Sequence, residues 1–226
     1  VHLFFYSYTT LTTYSAFSRL WSTMLNKYLS GGVFLFVCNS LTLIFGLQVT
    51  STPPLIDAPT FSLATTDENG NTGMNILTYA APMSVRPDRM WSIGLFKGTL
   101  SHENFARNGK GVLQLLAPCH AKAVKLLGGS SGKDIDKKTE CEKLGLSWLS
   151  PAMDNMPELL PGCVYYLQVR RVGDMIDCGS HDAALCKIES MLVSDDELKE
   201  AAQGPYLSTA NLRELGIITE QGRVAE

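Results

Sequence analysis

The fold is decided by residues 66–137, which contain Asn75-Ile-Leu-Thr-Tyr-Ala-Ala-Pro-Met-Ser84, Met90-Trp-Ser-Ile-Gly-Leu95, Lys97-Gly-Thr99 and Ser131-Gly-Lys-Asp-Ile-Asp-Lys137. The first two segments are rich in apolar and aromatic residues, which is typical of strands. Pro82 and Pro87 rule out an uninterrupted central ladder between them. Lys97-Gly-Thr99 then offers a cation and a hydroxyl in front of a helical pattern, as phosphate-binding loops do. The stretch predicts strand, turn, strand, loop and helix, in that order.

Further strands and helices are predicted on both sides of this stretch. Residues 60–66 alternate in part, and the polar residues 67–71 break the pattern as a hairpin turn. Residues 100–108 suit a helix that Thr99 or Ser101 caps and Gly109 ends. The other predicted elements are a strand at 111–116, helical turns at 118–127 and 139–146, and closing antiparallel strands at 164–172, 176–178 and 183–193. We therefore expect a mainly β domain, an antiparallel barrel with helices inserted between its strands.

Length and charge limit the classes of function. The chain has 226 residues, of which 45% are hydrophobic and 18% charged, enough for one well-filled core once the first fifty residues are set aside. Its formal charge is -3, from 19 basic and 22 acidic residues. Such a chain lacks the basic field that neutralises nucleic-acid phosphates, so we do not expect nucleic-acid binding.

Residues 1–50 differ from the rest and are interpreted as a leader. They are rich in Ser, Thr, Tyr, Phe and Leu, and no acidic residue occurs before Asp57. Met24 is the expected translation start, Lys27 supplies a positive n-region, and the apolar run 31–47 is interrupted by polar residues. A removable signal or transit peptide, cleaved near 47–51, is favoured over a permanent anchor; an N-terminal helix packed on the domain is the alternative. We expect delivery to an organelle such as a plastid, or to the endomembrane route. The predicted division is leader 1–50, domain 51–200 and C-terminal arm 201–226.

Cysteine and histidine spacing argues against a disulfide framework and a metal site. Cys38 lies in the leader, and the remaining five have neither zinc-finger nor redox spacing; they are Cys119, Cys141, Cys163, Cys178 and Cys186. His102 and His120 are scattered, without the paired spacing of a metal site. The chain also has no Asn-x-Ser/Thr acceptor for glycosylation, which favours an organelle over secretion.

Taken together, the quoted segments resemble the flavin reductase-like, FMN-binding split-barrel family. Gly179-Ser-His-Asp182 adds to the likeness, because it is similar to a Gly-Asp-His segment in the family's later strands. The resemblance covers roughly residues 61–193. It implies an antiparallel, Greek-key-like split β-barrel that binds FMN or FAD.

The resemblance also implies a set of flavin-binding residues. Isoalloxazine and ribityl contacts fall on Asn75, Thr78, Tyr79, Ala80 and, on the adjoining strand, Ser92. Phosphate contacts fall on Lys97 and Thr99, where lysine takes the place of the family's usual arginine, and Ser101 joins them at the predicted helix N-terminus. Lys137 is expected to reach the flavin phosphate or a neighbouring subunit, although Lys138 follows where the family usually has phenylalanine. Each residue also has an ordinary interpretation as a strand, turn, cap or core residue.

His181 is the predicted catalytic residue. In the family this histidine lies near the flavin and the nicotinamide, where it orients the dihydropyridine ring or donates a hydrogen bond. Here Ser180 replaces the family's aspartate, which removes one carboxylate from the segment. A structural strand histidine is the alternative.

The predicted function is that of a flavin reductase-like oxidoreductase. NAD(P)H is the transient cosubstrate, and electrons pass onward to a flavin, to oxygen or to a partner oxygenase. No Walker loop, nucleophile elbow or Rossmann glycine motif follows a predicted strand. The family forms homodimers with FMN near the subunit interface, and residues 201–226 are either an arm across that dimer or a short surface helix. Two alternatives are an FMN-binding electron carrier or storage protein without nicotinamide turnover, and an interaction domain that has lost flavin.

Overall fold

The computed structural model describes residues 50–51, 54–150, 156–193 and 205–225. The predictions of a leader, of a start at Met24 and of Cys38 within the leader therefore lie outside the described residues. In the described ranges no helix combines the length and the apolar character needed to cross a membrane.

Eight strands and four α-helices make up the described domain. They are β1 (Phe61–Thr66), β2 (Thr72–Leu77), β3 (Ala80–Ser84), β4 (Met90–Phe96), α1 (Leu100–Asn108), β5 (Lys110–Leu115), α2 (Ala121–Gly129), α3 (Lys137–Lys143), β6 (Tyr165–Arg171), β7 (Ile176–Asp177), β8 (His181–Leu192) and α4 (Thr209–Glu214). A 3₁₀ turn, Pro118–His120, leads into α2. The strand order is β2-β1-β5-β6-β8-β4-β3, with β7 added beside β8. All pairs are antiparallel, which confirms the predicted mainly β fold with inserted helices.

The predicted first hairpin is confirmed, and local hydrogen bonds explain its turn. Asp67 Oδ1 accepts from the backbone N–H groups of Asn69 and Asn71, each at 2.8 Å. Gly70 has φ +82°, a conformation that glycine adopts without a steric penalty. Register then runs from Thr66 opposite Thr72 to Phe61 opposite Leu77.

Pro82 lies where its missing N–H group costs least. β3 is the last strand of the sheet path, and its ladder with β4 is irregular between Pro82 and Ser84. An edge strand needs hydrogen-bond donors on one side only, so proline is tolerated there. This confirms that the segment does not form a central strand.

Alternate residues of the central strands contribute to two apolar clusters on opposite faces of the sheet. Phe61, Leu63 and Leu113 belong to the cluster that also contains Ile93, Leu95 and Phe105. Ala64 and Val112 belong to the other, which packs against α2 through Val124 and Leu127. Because side chains alternate along a strand, one short sequence serves both cores.

The C-terminal residues 205–225 pack on the core of their own chain. Leu207 and Leu212 are buried in the cluster that contains α2. The Thr60 N–H group donates to the Leu207 carbonyl at 2.8 Å, and the Leu207 N–H group donates to the Leu116 carbonyl at 2.7 Å. This segment therefore lies beside the end of the sheet where the cavity described below opens.

Candidate functional site

A cavity of about 660 Å³ opens beside the ends of β2 and β4. Its lining comes from 74–79, 94, 96, 98–101, 124, 127–132, 137, 180–181, 212, 218 and 221–224. This brings together seven of the predicted site residues: Asn75, Thr78, Tyr79, Thr99, Ser101, Lys137 and His181. The volume is typical of a site for a drug-sized or cofactor-sized ligand.

The N-terminus of α1 forms one side of the cavity. Thr99 is the N-cap, as predicted: its hydroxyl accepts from the His102 N–H group at 3.2 Å and donates to the Phe96 carbonyl at 3.0 Å. The N–H groups of Leu100 and Ser101 fall outside the helix's own ladder, and both residues line the cavity. Helix N-termini carry a partial positive charge, so this side favours an anionic group.

Asn75 supplies a buried acceptor that the protein itself leaves unpaired. It lies on β2, opposite Leu63 on β1, and is 7% exposed. Its Oδ1 atom is buried and has no hydrogen-bond partner among the described residues. A buried unpaired polar atom costs free energy unless a ligand or water pairs with it. Because Asn75 lines the cavity, its amide oxygen is available to a ligand there.

Tyr79 and Gly94 lie in direct contact in the neighbouring part of the cavity wall. The Gly94 N–H group donates to the Tyr79 carbonyl at 2.7 Å. A Cβ atom on Gly94 would lie 2.9 Å from the Tyr79 Cβ atom, closer than carbon atoms approach without displacement. The glycine therefore lets the Tyr79 side chain pack directly over β4.

His181 is the first residue of β8 and lies among aromatic side chains. Its ring centroid is 5.1 Å from that of Tyr79 and 5.3 Å from that of Phe96, both in edge-to-face contact. Ser180 Oγ lies 2.9 Å from His181 Nδ1. Desolvation and, to a smaller extent, the positive charge of Arg223 lower the pKa of His181 below its usual value, so the ring is neutral at pH 7.

Lys137 is buried at the inner end of the cavity. Its ammonium donates to the carbonyl oxygens of Leu127, at 2.7 Å, and Met74, at 3.0 Å. Leu127 lies in the last turn of α2, where carbonyl groups lack helical partners. Burial lowers the pKa of Lys137 to about 8.

Lys97 is not brought to the cavity, because nearby carboxylates hold it elsewhere. Its Nζ atom lies 2.7 Å from Asp177 Oδ1 and 3.3 Å from Asp182 Oδ1. Asp182 Oδ2 also lies within hydrogen-bond distance, 2.7 Å, of His102 Nε2. The hydrogen bond to Asp177 raises the pKa of Lys97, and Lys97 in turn lowers the pKa of Asp177.

Ala80 and Ser92 also lie away from the cavity. Ala80 packs against the cluster of Phe61 and Leu63 and pairs with Ile93. Ser92 is on the same face of β4 as Gly94 and Phe96, since side chains alternate. It comes two residues before Gly94, beyond the lining.

The C-terminal wall of the cavity was not predicted. Leu212, Ile218 and residues 221–224 all line it. Val224 packs on the end of α2, where a Cβ atom on Gly129 would lie 3.2 Å from the Val224 Cγ1 atom. The paired glycines 128 and 129 were the available signal, because two consecutive glycines at a helix end permit a close backbone approach. Among the described residues no group of acidic, cysteine and histidine side chains could hold a metal ion, and all five described cysteines are free.

Comparison with known families identifies the fold and its class. The model of the flavin reductase like domain matches residues 42–211. The chain belongs to this family. A search of curated proteins found no significant match.

Solved structures of this flavin reductase-like architecture share the fold at low sequence identity. Flavoredoxin from Methanosarcina acetivorans superposes with a TM-score of 0.57 at 15% identity, covering 69% of this chain and 78% of that chain. Flavoredoxin of Desulfovibrio vulgaris (Miyazaki F) has a TM-score of 0.55 at 16% identity, covering 71% and 82%. An NADH:FAD oxidoreductase of Streptomyces globisporus C-1027 has a TM-score of 0.55 at 11% identity, covering 68% and 81%. The split-barrel fold is therefore shared across these proteins.

The residues of the cavity fit the flavin that this family implies. Asn75 offers a buried unpaired acceptor, which matches a ring or ribityl donor. The first N–H groups of α1 suit a phosphate. No aspartate or glutamate occurs among the lining residues, so no carboxylate stands in the wall against that phosphate.

Proposed function

We propose that the protein binds FMN in this cavity and catalyses its reduction by NAD(P)H. One observation carries the proposal: a single cavity, free of carboxylates among its lining residues, joins the unpaired acceptor of Asn75 to the N-terminus of α1 and to His181. FAD is the second candidate cofactor, since the polar contacts named above would serve either flavin.

The flavin would be held by groups that are already ordered before it binds. Asn75 and Thr78 would hydrogen-bond the ring edge and ribityl chain, and Tyr79 would cover part of the ring. Ser101 and the first N–H groups of α1 would bind the phosphate, with Thr99 keeping the helix end in shape. Ordering these groups in advance lowers the entropic cost of binding.

His181 would position the nicotinamide. Its ring is neutral at pH 7, so it offers one N–H donor and one acceptor rather than a positive charge. Edge contacts with Tyr79 and Phe96 hold it at the cavity mouth. When bound, FMN would supply the redox chemistry: hydride uptake from NAD(P)H, which would leave as NAD(P)⁺, and onward transfer of the electrons to a second flavin, to oxygen or to a partner oxygenase.

A homodimer is part of the proposal. Tyr79, Met83 and Val85 are exposed by 64%, 63% and 72%, and they lie on or beside the edge strand β3. A contiguous apolar edge next to a ligand cavity is typical of an interface, and a second copy would cover it. Light scattering on the purified protein tests this: a mass of one chain contradicts the dimer.

A second candidate function is that of an FMN-binding electron carrier without nicotinamide turnover. Ser180 favours it, because a hydroxyl at 2.9 Å from His181 Nδ1 takes the place of the family's carboxylate. Without that carboxylate, the His181 ring is a weaker hydrogen-bond donor.

An anaerobic visible spectrum of the full-length protein separates these functions. The protein is loaded with FMN, freed of unbound flavin and then mixed with NADH or NADPH. Retained flavin that bleaches supports the reductase, and retained flavin that stays oxidised supports the carrier. A protein that retains no flavin contradicts both.

A further inference from the structure

Arg223 is a cation of the cavity whose charge no described carboxylate pairs. Besides His181, the lining contains one lysine and one arginine, Lys137 and Arg223. Lys137 already donates to two backbone carbonyls, and burial lowers its pKa to about 8, which reduces its charge. Arg223 is exposed, and among the described residues no carboxylate lies within ion-pair distance of it.

Lys97, the basic residue that the sequence suggested for this role, is differently placed. Two carboxylates, Asp177 and Asp182, lie within 3.3 Å of its Nζ atom. A phosphate oxygen that approached Lys97 would therefore meet an ammonium whose charge is already neutralised. It would also be repelled by the two carboxylates nearby. Arg223 offers five donors in a planar fork and stays charged at every physiological pH.

A short C-terminal hairpin positions Arg223 at the cavity. Ile218 pairs with Val224, the Thr219 N–H group donates to the Arg223 carbonyl at 2.7 Å, and the Gly222 N–H group donates to the Thr219 carbonyl at 2.9 Å. Gly222 has φ +78°, which this tight turn requires. Val224 then packs on the glycines at the end of α2. The backbone that carries Arg223 is thus anchored on both sides of the residue.

Arg223 lines the same cavity as His181. Its positive charge is the smaller of the two causes that lower the pKa of His181, after desolvation. The backbone beside His181 also meets the loop before α1, since the Lys97 N–H group donates to the Ser180 carbonyl at 3.1 Å. Arg223, His181 and the N-terminus of α1 therefore all line one cavity.

We infer that Arg223, and not Lys97, pairs with the phosphate of the bound flavin, and that it makes the site selective for FMN over riboflavin. This inference rests on the proposed flavin binding and adds to it the residue that recognises the anionic group. A guanidinium and a helix N-terminus facing one dianion combine charge with directed hydrogen bonds.

The test compares FMN with riboflavin, which lacks the phosphate. Dissociation constants of both flavins are measured by fluorescence titration at low salt on the full-length wild type and on Arg223→Gln, Arg223→Lys and Lys97→Gln. We expect Arg223→Gln to weaken FMN binding by roughly tenfold or more while riboflavin binding changes by less than about twofold, a contrast that a charged hydrogen bond accounts for. Arg223→Lys should retain part of the FMN preference, and Lys97→Gln should retain all of it.

Each outcome has a distinct meaning. An unchanged ratio of FMN to riboflavin affinity in Arg223→Gln, or a ratio that collapses in Lys97→Gln, overturns the role of Arg223 and leaves flavin binding intact. A wild type that binds neither flavin overturns the proposed function together with this inference. Arg223 is exposed, so the variants should fold, and equal loss of both flavins would indicate a structural role and contradict phosphate recognition.

Discussion

The ammonium of Lys137 lies 2.7 Å from the carbonyl oxygen of Leu127 and closes the last turn of α2 from inside the domain. A second bond, to the Met74 carbonyl at 3.0 Å, ties the same lysine to β2. One buried side chain thus fixes the spacing between a strand and a helix that both line the cavity. Lysine at this position stabilises the shape of the site in addition to contributing charge.

Replacing Lys137 should alter stability in a pH-dependent way. Burial lowers its pKa from 10.5 to about 8, so the unfolded chain binds more protons than the folded one between those values. Stability contributed by this group therefore rises as pH increases from 8 to 10.5, with an upper limit of about 3 kcal/mol because each pKa unit corresponds to about 1.4 kcal/mol. The two carbonyl acceptors favour the ammonium and reduce the gain.

Urea unfolding of wild type and Lys137→Met at pH 7.5 and pH 10 measures this effect. We expect the wild type to gain stability relative to the variant at the higher pH. At pH 7.5 the variant should still be the less stable protein, since it leaves two buried carbonyls without their donor, at about 1–3 kcal/mol each. A difference between the proteins that does not change with pH contradicts the lowered pKa.

Gly94→Ala should displace Tyr79 and damage the cavity. The added methyl group would lie 2.9 Å from the Tyr79 Cβ atom, so the side chain must move. We expect a loss of roughly 1–3 kcal/mol in the free energy of unfolding, as for overpacked sites, and a loss of flavin affinity. Ser92→Ala is the matched control, since Ser92 lies on the same face of β4 but outside the cavity. Equal flavin affinity in Gly94→Ala and the control contradicts a role of Tyr79 in the site.

Thr99→Ala should weaken both α1 and the binding of flavin. Its hydroxyl accepts from the His102 N–H group at 3.2 Å, and loss of such a cap costs about 1 kcal/mol. Ser208→Ala removes the corresponding cap of α4, where the hydroxyl accepts from the Asn211 N–H group at 3.3 Å. Thermal unfolding and FMN titration of both variants should show similar losses of stability, with the larger loss of affinity in Thr99→Ala. A larger loss of affinity in Ser208→Ala would contradict a phosphate site at α1.

His181→Phe should retain flavin but slow its reduction. Phenylalanine keeps an aromatic ring against Tyr79 and Phe96 while it removes both ring nitrogens. Stopped-flow reduction by NADH and NADPH should be roughly tenfold slower than in the wild type, the effect expected for the loss of one positioning hydrogen bond. His181→Ala also removes the packing of the ring, so the two variants together separate the contribution of the ring nitrogens from that of the packing. Unchanged rates in both variants would show that His181 is structural.

The lowered pKa of His181 predicts the pH dependence of that step. The groups that face the ring are the Ser180 hydroxyl, the rings of Tyr79 and Phe96, and the Arg223 charge. Because the folded pKa lies below 6.5, the neutral ring persists to a lower pH than it would in an ordinary histidine. The fall of the reduction rate on acidification should therefore have its midpoint below pH 6.5. Proton NMR titration of the imidazole checks the assignment, and a titration midpoint above 6.5 contradicts it.

Local sequence determined the elements whose partners are near in the chain. The turn at 67–71 carries its own hydrogen-bonding aspartate and a glycine with positive φ, and α1 carries its own Thr99 cap and ends at Gly109 in the left-handed conformation. Pro82 excluded its segment from the sheet interior because proline has no backbone N–H group to donate to a second neighbouring strand. Asn75, Thr78 and Tyr79 were indicated as one wall of the site only by the resemblance to the family, since taken alone each has an ordinary strand, turn or core interpretation.

Only the tertiary structure decided which charges reach the cavity. Lys97 meets its carboxylate partners about eighty residues later in the chain, and nothing in Lys97-Gly-Thr99 indicates that pairing. Arg223 reaches the cavity because residues 205–225 return to the sheet beside Thr60 and Leu116, contacts that Leu207 makes with residues distant in the chain. Helix caps and turns are specified by neighbouring residues, whereas the electrostatics of a cavity depend on which distant side chains the packed core brings within a few ångströms of one another.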